Sequence, residues 1–216
     1  MRRLLTFMLP VVLLAAALGC ADSKSRATGV FMLIDTSGTY TNELEKAQSI
    51  VTYLLATLQP GDSLAVARID SGSFSEKDII AKMTFDSRPS ISNKQKLRFK
   101  ELLDQNVKKI KGSAYTDISG GILQASDYLN ETGAGKKYIF IFSDLEQDLP
   151  AGFKRNIPFK LEGFTVVALN VTKLSSDNVN PQEYLDRVKF WQSKVEKEGK
   201  GVWKRYNDLD NIEKAL

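Results

Sequence analysis

Val30-Phe31-Met32-Leu33-Ile34-Asp35-Thr36-Ser37-Gly38-Thr39 is the stretch that decides the fold. Its first half is an unbroken apolar run, too short for a helix, of the kind that a parallel strand buried on both faces requires. Its second half turns at once into carboxylate, hydroxyl and glycine. A buried strand that ends in a loop rich in oxygen ligands is the starting point for everything that follows.

Outward from it, strand and helix alternate. Leu44, Ala47, Val51, Leu54, Leu55 and Leu58 form one stripe of a helix that Pro60-Gly61-Asp62 ends. Leu64 to Ile69 and Ile79 to Phe85 read as strands, with Asp70-Ser71-Gly72-Ser73 a turn between them. The spacing of Phe99, Leu102, Leu103, Val107 and Ile110 predicts a helix from about Lys94 to Ile110, and Ile118, Ile122, Ala125 and Leu129 predict a shorter one after Thr116-Asp117. Lys137 to Phe142 and Phe164 to Leu169 are strands. Asn180-Pro181 opens a helix by cap and first-turn chemistry, with Tyr184, Leu185, Val188, Trp191 and Val195 inward. Gly201 to Tyr206 is a last strand, and a terminal helix follows. This order predicts an α/β fold: a doubly wound, mostly parallel central sheet with helices on both faces, built as one domain over residues 28–216.

Ligands of such a sheet bind outside the carboxyl ends of its strands. Three oxygen-bearing segments fall there: Asp35 to Thr39, Thr116-Asp117, and Asp144 just past the strand ending at Phe142. Composition narrows their chemistry. The chain has no histidine and one cysteine, which excludes a Ser-His-Asp triad, an imidazole base, a His-ligated zinc, a Cys-x-x-Cys pair and an intrachain disulfide. A metal held by this chain alone must be a hard cation on oxygen. The net charge of +4 includes Arg2 and Arg3, and without them 28 basic residues face 26 acidic ones, or +2. That balance is no nucleic-acid footprint, and Lys108, Lys109 and Lys111 read as a solvated helix end.

Together these segments resemble the von Willebrand factor A family, whose metal-ion-dependent adhesion site has Asp-x-Ser-x-Ser on one loop, Thr on a second and Asp on a third. The matching positions are Asp35, Ser37 and Thr39, then Thr116, then Asp144. Gly61-Asp62 before the second strand fits the family as well. Thr39 stands where serine is usual, and Leu145 follows Asp144 where many relatives carry glycine. The resemblance implies a Mg²⁺ site, with Mn²⁺ or Ca²⁺ as alternatives. Ser37, Thr39 and Thr116 would touch the ion through neutral hydroxyls, and Asp35 and Asp144 would act largely through water. A cation so under-compensated takes an acidic side chain of a protein partner, so the expected role is binding without catalysis and without a small-molecule substrate. Tyr40, Tyr115 and Glu146 flank the site as a contact rim.

Plainer readings stand beside this one. Asp35 and Thr39 can simply organise a strand-to-helix turn, and Asp117 is better read as a cap than as a ligand. Asp70 and Asp148 read as solvated loop carboxylates. The Asp35 loop also resembles the nucleophile loop of haloacid-dehalogenase-like phosphatases, which bind Mg²⁺ through later acidic residues. Those enzymes place a general-acid Asp two residues after the nucleophile, where this chain has Ser37. A metal-independent structural scaffold on the same fold is a further alternative.

The N-terminus reads as an address. Arg2-Arg3, an apolar stretch from Leu4 to Leu18, and Gly19 before Cys20 follow the three-part pattern of a secretory signal over residues 1–19. The stretch is short for a membrane span, which takes about 20 residues. Cys20 at the cleavage point resembles a bacterial lipoprotein signal, although Ala17 and Leu18 fit that pattern poorly. Lipidated Cys20 would anchor the protein to a membrane of the bacterial cell envelope, with residues 20–27 as a tether.

Overall fold

The computed structural model of the 216-residue chain describes residues 25–37, 43–110, 112–207 and 209–216. Cys20 with its signal, and Thr39 with Tyr40, lie outside the described residues. The elements are β1 (Thr28–Asp35), α1 (Leu44–Thr57), β2 (Ser63–Ile69), β3 (Ile79–Thr84), α2 (Pro89–Val107), α3 (Ile118–Glu131), β4 (Lys136–Phe142), β5 (Phe164–Leu169), α4 (Pro181–Ser193) and β6 (Val202–Tyr206).

The sheet has six strands in the order β3-β2-β1-β4-β5-β6. All neighbours run parallel except β3, which returns antiparallel to β2 at one edge. The predicted doubly wound, mostly parallel architecture is the observed one. Strand order reverses between β1 and β4, and at such a switch point the flanking loops diverge and leave a crevice.

β1 is central, and its apolar run is divided between two layers. Val30, Met32 and Ile34 pack with α1 and α2, whereas Phe31 and Leu33 pack with α3 and α4. This is the period-2 alternation of a strand, with both faces covered. The stripes of α1 and α3 are buried as their spacing predicts. α2 begins earlier than predicted, at Pro89, because proline is well placed in a first helical turn. Its buried stripe is Phe99, Leu103 and Val107, and Leu102 turns outward. Leu185 of α4 is likewise exposed, and the predicted terminal helix is a short 3₁₀ segment, Leu209–Lys214. No described helix is long and apolar enough to cross a membrane.

Two local devices set the spacing of the layers. A Cβ on Gly121 of α3 would stand 2.9 Å from Leu33 Cδ2, so glycine lets this helix lie close against β1. Glycine costs a helix about 1 kcal/mol, and the close approach offsets it. At the amino edge the buried Asp62 accepts from Thr28 N–H at 2.7 Å and Gln59 N–H at 2.6 Å, fastening the start of β1 to the turn before β2. Asp62→Ala would strand both donors, so we expect a loss of about 2–3 kcal/mol in urea unfolding; a loss below about 0.5 kcal/mol would show that the clasp is dispensable.

Candidate functional site

The crevice is built from the ends of β1 and β4 and the segment entering α3. Asp35 is the last residue of β1 and is wholly buried. One carboxylate oxygen accepts from Ser37 N–H at 2.9 Å, and the other accepts from Ser143 Oγ–H at 2.6 Å. Asp144 follows Ser143, is 3% exposed, and accepts from Glu146 N–H at 2.9 Å. The middle loop joins the first through a backbone bridge between Ser37 and Ser113, with Ser113 N–H donating to Thr36 O at 2.9 Å. It joins the third through a two-way bridge between Thr116 and Asp148. Each pair of loops is therefore fastened together, and Asp35, Ser37, Thr116 and Asp144 all lie at one edge.

Two buried carboxylates here are held against their preference. Burial pushes the Asp35 carboxyl above its ordinary range, against the pull of its hydrogen bonds from Ser143 and Ser37. Burial raises Asp144 to about 6, and the charges of Asp35 and Glu146 add to it, while the Glu146 N–H hydrogen bond and Arg187 pull the other way. No three carboxylates or thiolates converge on a point among the described residues. The donors available to a cation are thus two carboxylates and the hydroxyls of Ser37 and Thr116, a set suited to a hard divalent ion rather than a soft one.

Residues outside the predicted set hold this arrangement. Arg187 of α4 donates from Nε to Asp144 O at 2.9 Å and pairs with buried Asp177 at 2.7 Å. It holds the Asp177 carboxyl below its ordinary range through that hydrogen bond, despite burial. A sequence signal existed: Arg187 interrupts the inward stripe between Tyr184 and Trp191. Leu145 occupies the left-handed region with φ of 67°, which explains why glycine would suit this position. The strain of about 1–2 kcal/mol is outweighed by a side chain buried in the core and by Trp191 Nε1–H donating to Leu145 O at 2.9 Å.

Asp117 is the predicted cap, accepting from Gly120 N–H at 2.8 Å, and its other oxygen pairs with Arg155. Asp70 is not merely a solvated carboxylate. It accepts from Ser113 Oγ–H at 2.5 Å and pairs with Arg68 at 3.0 Å. Burial opposes its ionisation, yet the Ser113 and Ser71 hydrogen bonds, with Arg68 and Lys77, hold its carboxyl below the ordinary range. The Asp148 side chain is exposed, Tyr115 is half-buried, and Glu146 is exposed beside Arg187.

No model of a known protein family matches the sequence, and no curated protein matches it. Solved structures do share the fold. The pilus adhesin SpaC from Lactobacillus rhamnosus GG, in an open conformation, aligns over 89% of this chain and 29% of its own, at 12% identity and a TM-score of 0.52. A von Willebrand factor type A structure from Catenulispora acidiphila aligns over 88% of this chain and 41% of its own, at 12% identity and a TM-score of 0.51. The fold is von Willebrand factor A-like. The chain spans less than half the length of either structure. Conserved hypothetical protein BatB from Bacteroides thetaiotaomicron aligns over 88% of this chain and 94% of its own, at 15% identity and a TM-score of 0.45.

On this von Willebrand factor A-like edge the raised Asp144 carboxyl makes a signed prediction. Between its ordinary value of 3.8 and about 6 the folded state holds the extra proton, so stability falls as pH rises through that window. Without added metal, Asp144→Asn keeps the acceptor for Glu146 N–H and is expected to stabilise the fold by about 3 kcal/mol at pH 7 and by nothing below pH ~4. Urea unfolding at both pH values checks this, and equal stability of variant and wild type at pH 7 would refute it.

Proposed function

We propose that this protein is a non-catalytic, divalent-cation-dependent protein-binding domain, anchored as a lipoprotein at the bacterial cell envelope through Cys20. One observation carries the reading: two buried carboxylates, Asp35 at the end of β1 and Asp144 two residues past β4, lie at the switch point, where Asp35 opposes the ionisation of Asp144 and the loops of Ser37 and Thr116 are fastened beside them. Ser37, Thr116 and, by the sequence pattern, Thr39 would supply neutral oxygens, and Asp35 and Asp144 the negative charge. A bound Mg²⁺ would supply an under-compensated positive charge that a carboxylate of a partner protein completes.

The chain's own part is to hold its donors still. Ser143 fixes the Asp35 carboxylate, Arg187 fixes the Asp144 backbone, and the two backbone bridges fix Ser37 and Thr116. The recurrence of the fold in a pilus adhesin is in keeping with an adhesive role. The described chain enters β1 at the edge opposite the site, an eight-residue strand away, or about 26 Å at 3.3 Å per residue. A lipid at Cys20 would join the chain at the edge opposite the site. A metal-independent scaffold is the second reading, favoured by the internal hydrogen bonds that Asp35 already makes on both oxygens. The same bonds disfavour Asp35 as a phosphatase nucleophile.

Thermal unfolding of the full-length protein in non-ionic detergent, with chelator or with Mg²⁺ or Mn²⁺, tests the metal. At about 100 times the dissociation constant the cation is expected to raise Tm by roughly 5–10 °C. Thr116→Val and Asp144→Asn should each remove most of that shift; a wild type that does not respond, or variants that respond in full, would overturn the site. Cys20→Ser should move the protein from the membrane to the soluble fraction of expressing cells, and unchanged fractionation would overturn the anchor.

A further inference from the structure

The amino edge of the sheet, where the chain enters β1, carries a basic and apolar surface that has no part in the site. Gly29 pairs with Ser63 and Ser63 with Thr84, so antiparallel β3 ends at this edge and α2 begins beside it. The stretch of α2 from Pro89 to Lys100 holds Lys94, Lys96, Arg98 and Lys100 and no acidic residue. The rest of the chain after Arg2-Arg3 is slightly acidic, so the positive excess lies in this half-helix. Helix stability does not ask for such a pattern. Lys94 with Arg98, and Lys96 with Lys100, are like charges at i and i+4, which disfavour a helix.

Two of the four cations are engaged within the chain. Lys96 donates to Leu58 O and lies over the Phe85 ring at 5.8 Å, and Lys100 pairs with Asp104 at 2.7 Å. Lys94 and Arg98 are exposed and pair with no carboxylate among the described residues. The first acidic residue along the helix is Glu101, one turn past Arg98 and further from the edge, and it pairs with neither. Between the two open cations stands Leu97, 66% exposed. It borders a groove of about 380 Å³ between α1 and α2, lined also by Leu55, Ala56, Lys96 and Lys100. With their ammonium groups tied down, these lysines offer the groove their hydrocarbon stems.

Open cations around an exposed leucine and an apolar groove are complementary to an anionic lipid surface. Lipid phosphates satisfy the charges, and acyl carbon covers the leucine. An acidic protein or a nucleic acid would meet the charges and leave Leu97 in water. Position agrees with the lipid. Cys20 precedes Thr28 by eight residues, a reach of at most about 28 Å, so a bilayer holding Cys20 is within reach of this edge.

We propose that the start of α2 is a second membrane contact, in which Lys94 and Arg98 bind the headgroups of anionic lipids and Leu97 enters among them. Its place at a membrane rests on the anchor proposed at Cys20, whereas its lipid chemistry does not.

The test is a titration of the full-length protein in non-ionic detergent, chelator present, with short-chain phosphatidylglycerol, following backbone amide resonances by NMR. Saturable shifts are expected around Lys94 to Arg98 and at Leu55 and Ala56, with affinity falling as salt rises. Reading each residue separately keeps binding at Arg2-Arg3 distinct. Phosphatidylcholine of the same chain length is expected to bind at least tenfold more weakly. The double variant Lys94→Gln, Arg98→Gln is expected to lose at least tenfold in affinity, since each basic residue near an anionic surface is worth about fivefold, and Leu97→Ser at least threefold. The control Lys108→Gln, Lys109→Gln removes the same charge from the far end of α2 and should change nothing. An equal response to phosphatidylcholine, an equal loss in the control, or no loss in the α2 variants would overturn the proposal. Tetra-glutamate amide moving the same amides as strongly would overturn it in favour of an acidic protein. Cys20→Ser should leave the titration unchanged, so failure of the anchor and failure of this contact are read separately.

Discussion

Burying the Asp35 carboxylate at the end of the central strand is the constraint on which the carboxyl edge depends. A carboxylate removed from water costs several kcal/mol unless each oxygen finds a donor. Asp35 finds one on its own loop, Ser37 N–H, and one on the loop after β4, Ser143 Oγ. The second bond joins two segments far apart in sequence, so the position of Asp144 is tied to that of Asp35. The middle loop is then clasped to both by backbone bridges, and the three loops behave as one assembly.

That assembly works against local preferences and is held by the helical layer behind it. Leu145 sits in a left-handed conformation, and Asp144 is pressed into an apolar setting beside another carboxylate. α4 opposes both tendencies. Arg187 and Trp191 hydrogen-bond to the carbonyls of Asp144 and Leu145, while the Arg187 charge is balanced by buried Asp177. One helix thus carries the support of the site on its inner side. A conformation that chain-local energetics disfavour persists because the surroundings over-determine it, a pattern common at functional sites.

Much of this was legible in the sequence, for identifiable reasons. The unbroken run Val30 to Ile34 can only be satisfied by cover on both faces, and the helical stripes supply that cover, so the layered parallel sheet followed from periodicity alone. Aspartates and hydroxyls at strand ends then fell at the carboxyl edge by topology. Less legible was which of two adjacent apolar residues a helix would bury. Leu102 and Leu185 both lie near the predicted stripes yet face water, because the rotation of a helix on its sheet is settled by packing rather than by spacing. The start of α2 is marked in the sequence by Pro89, whereas the apolar spacing marks only the buried part of the helix further on.

The sequence by itself determined the order of elements, the parallel sheet and the chemical type of the site, because these follow from hydrophobic period, from position relative to strand ends, and from the absence of histidine. Only the tertiary structure decided how the site is held: that Ser143 serves Asp35, that Ser113 serves Asp70, and that Arg187 supports the Asp144 loop. It also decided that Leu55 and Leu97 share a groove. The reason is physical. Local pattern reports what each residue can do, whereas burial, mutual repulsion and hydrogen-bond pairing depend on neighbours that the fold brings in from distant parts of the chain.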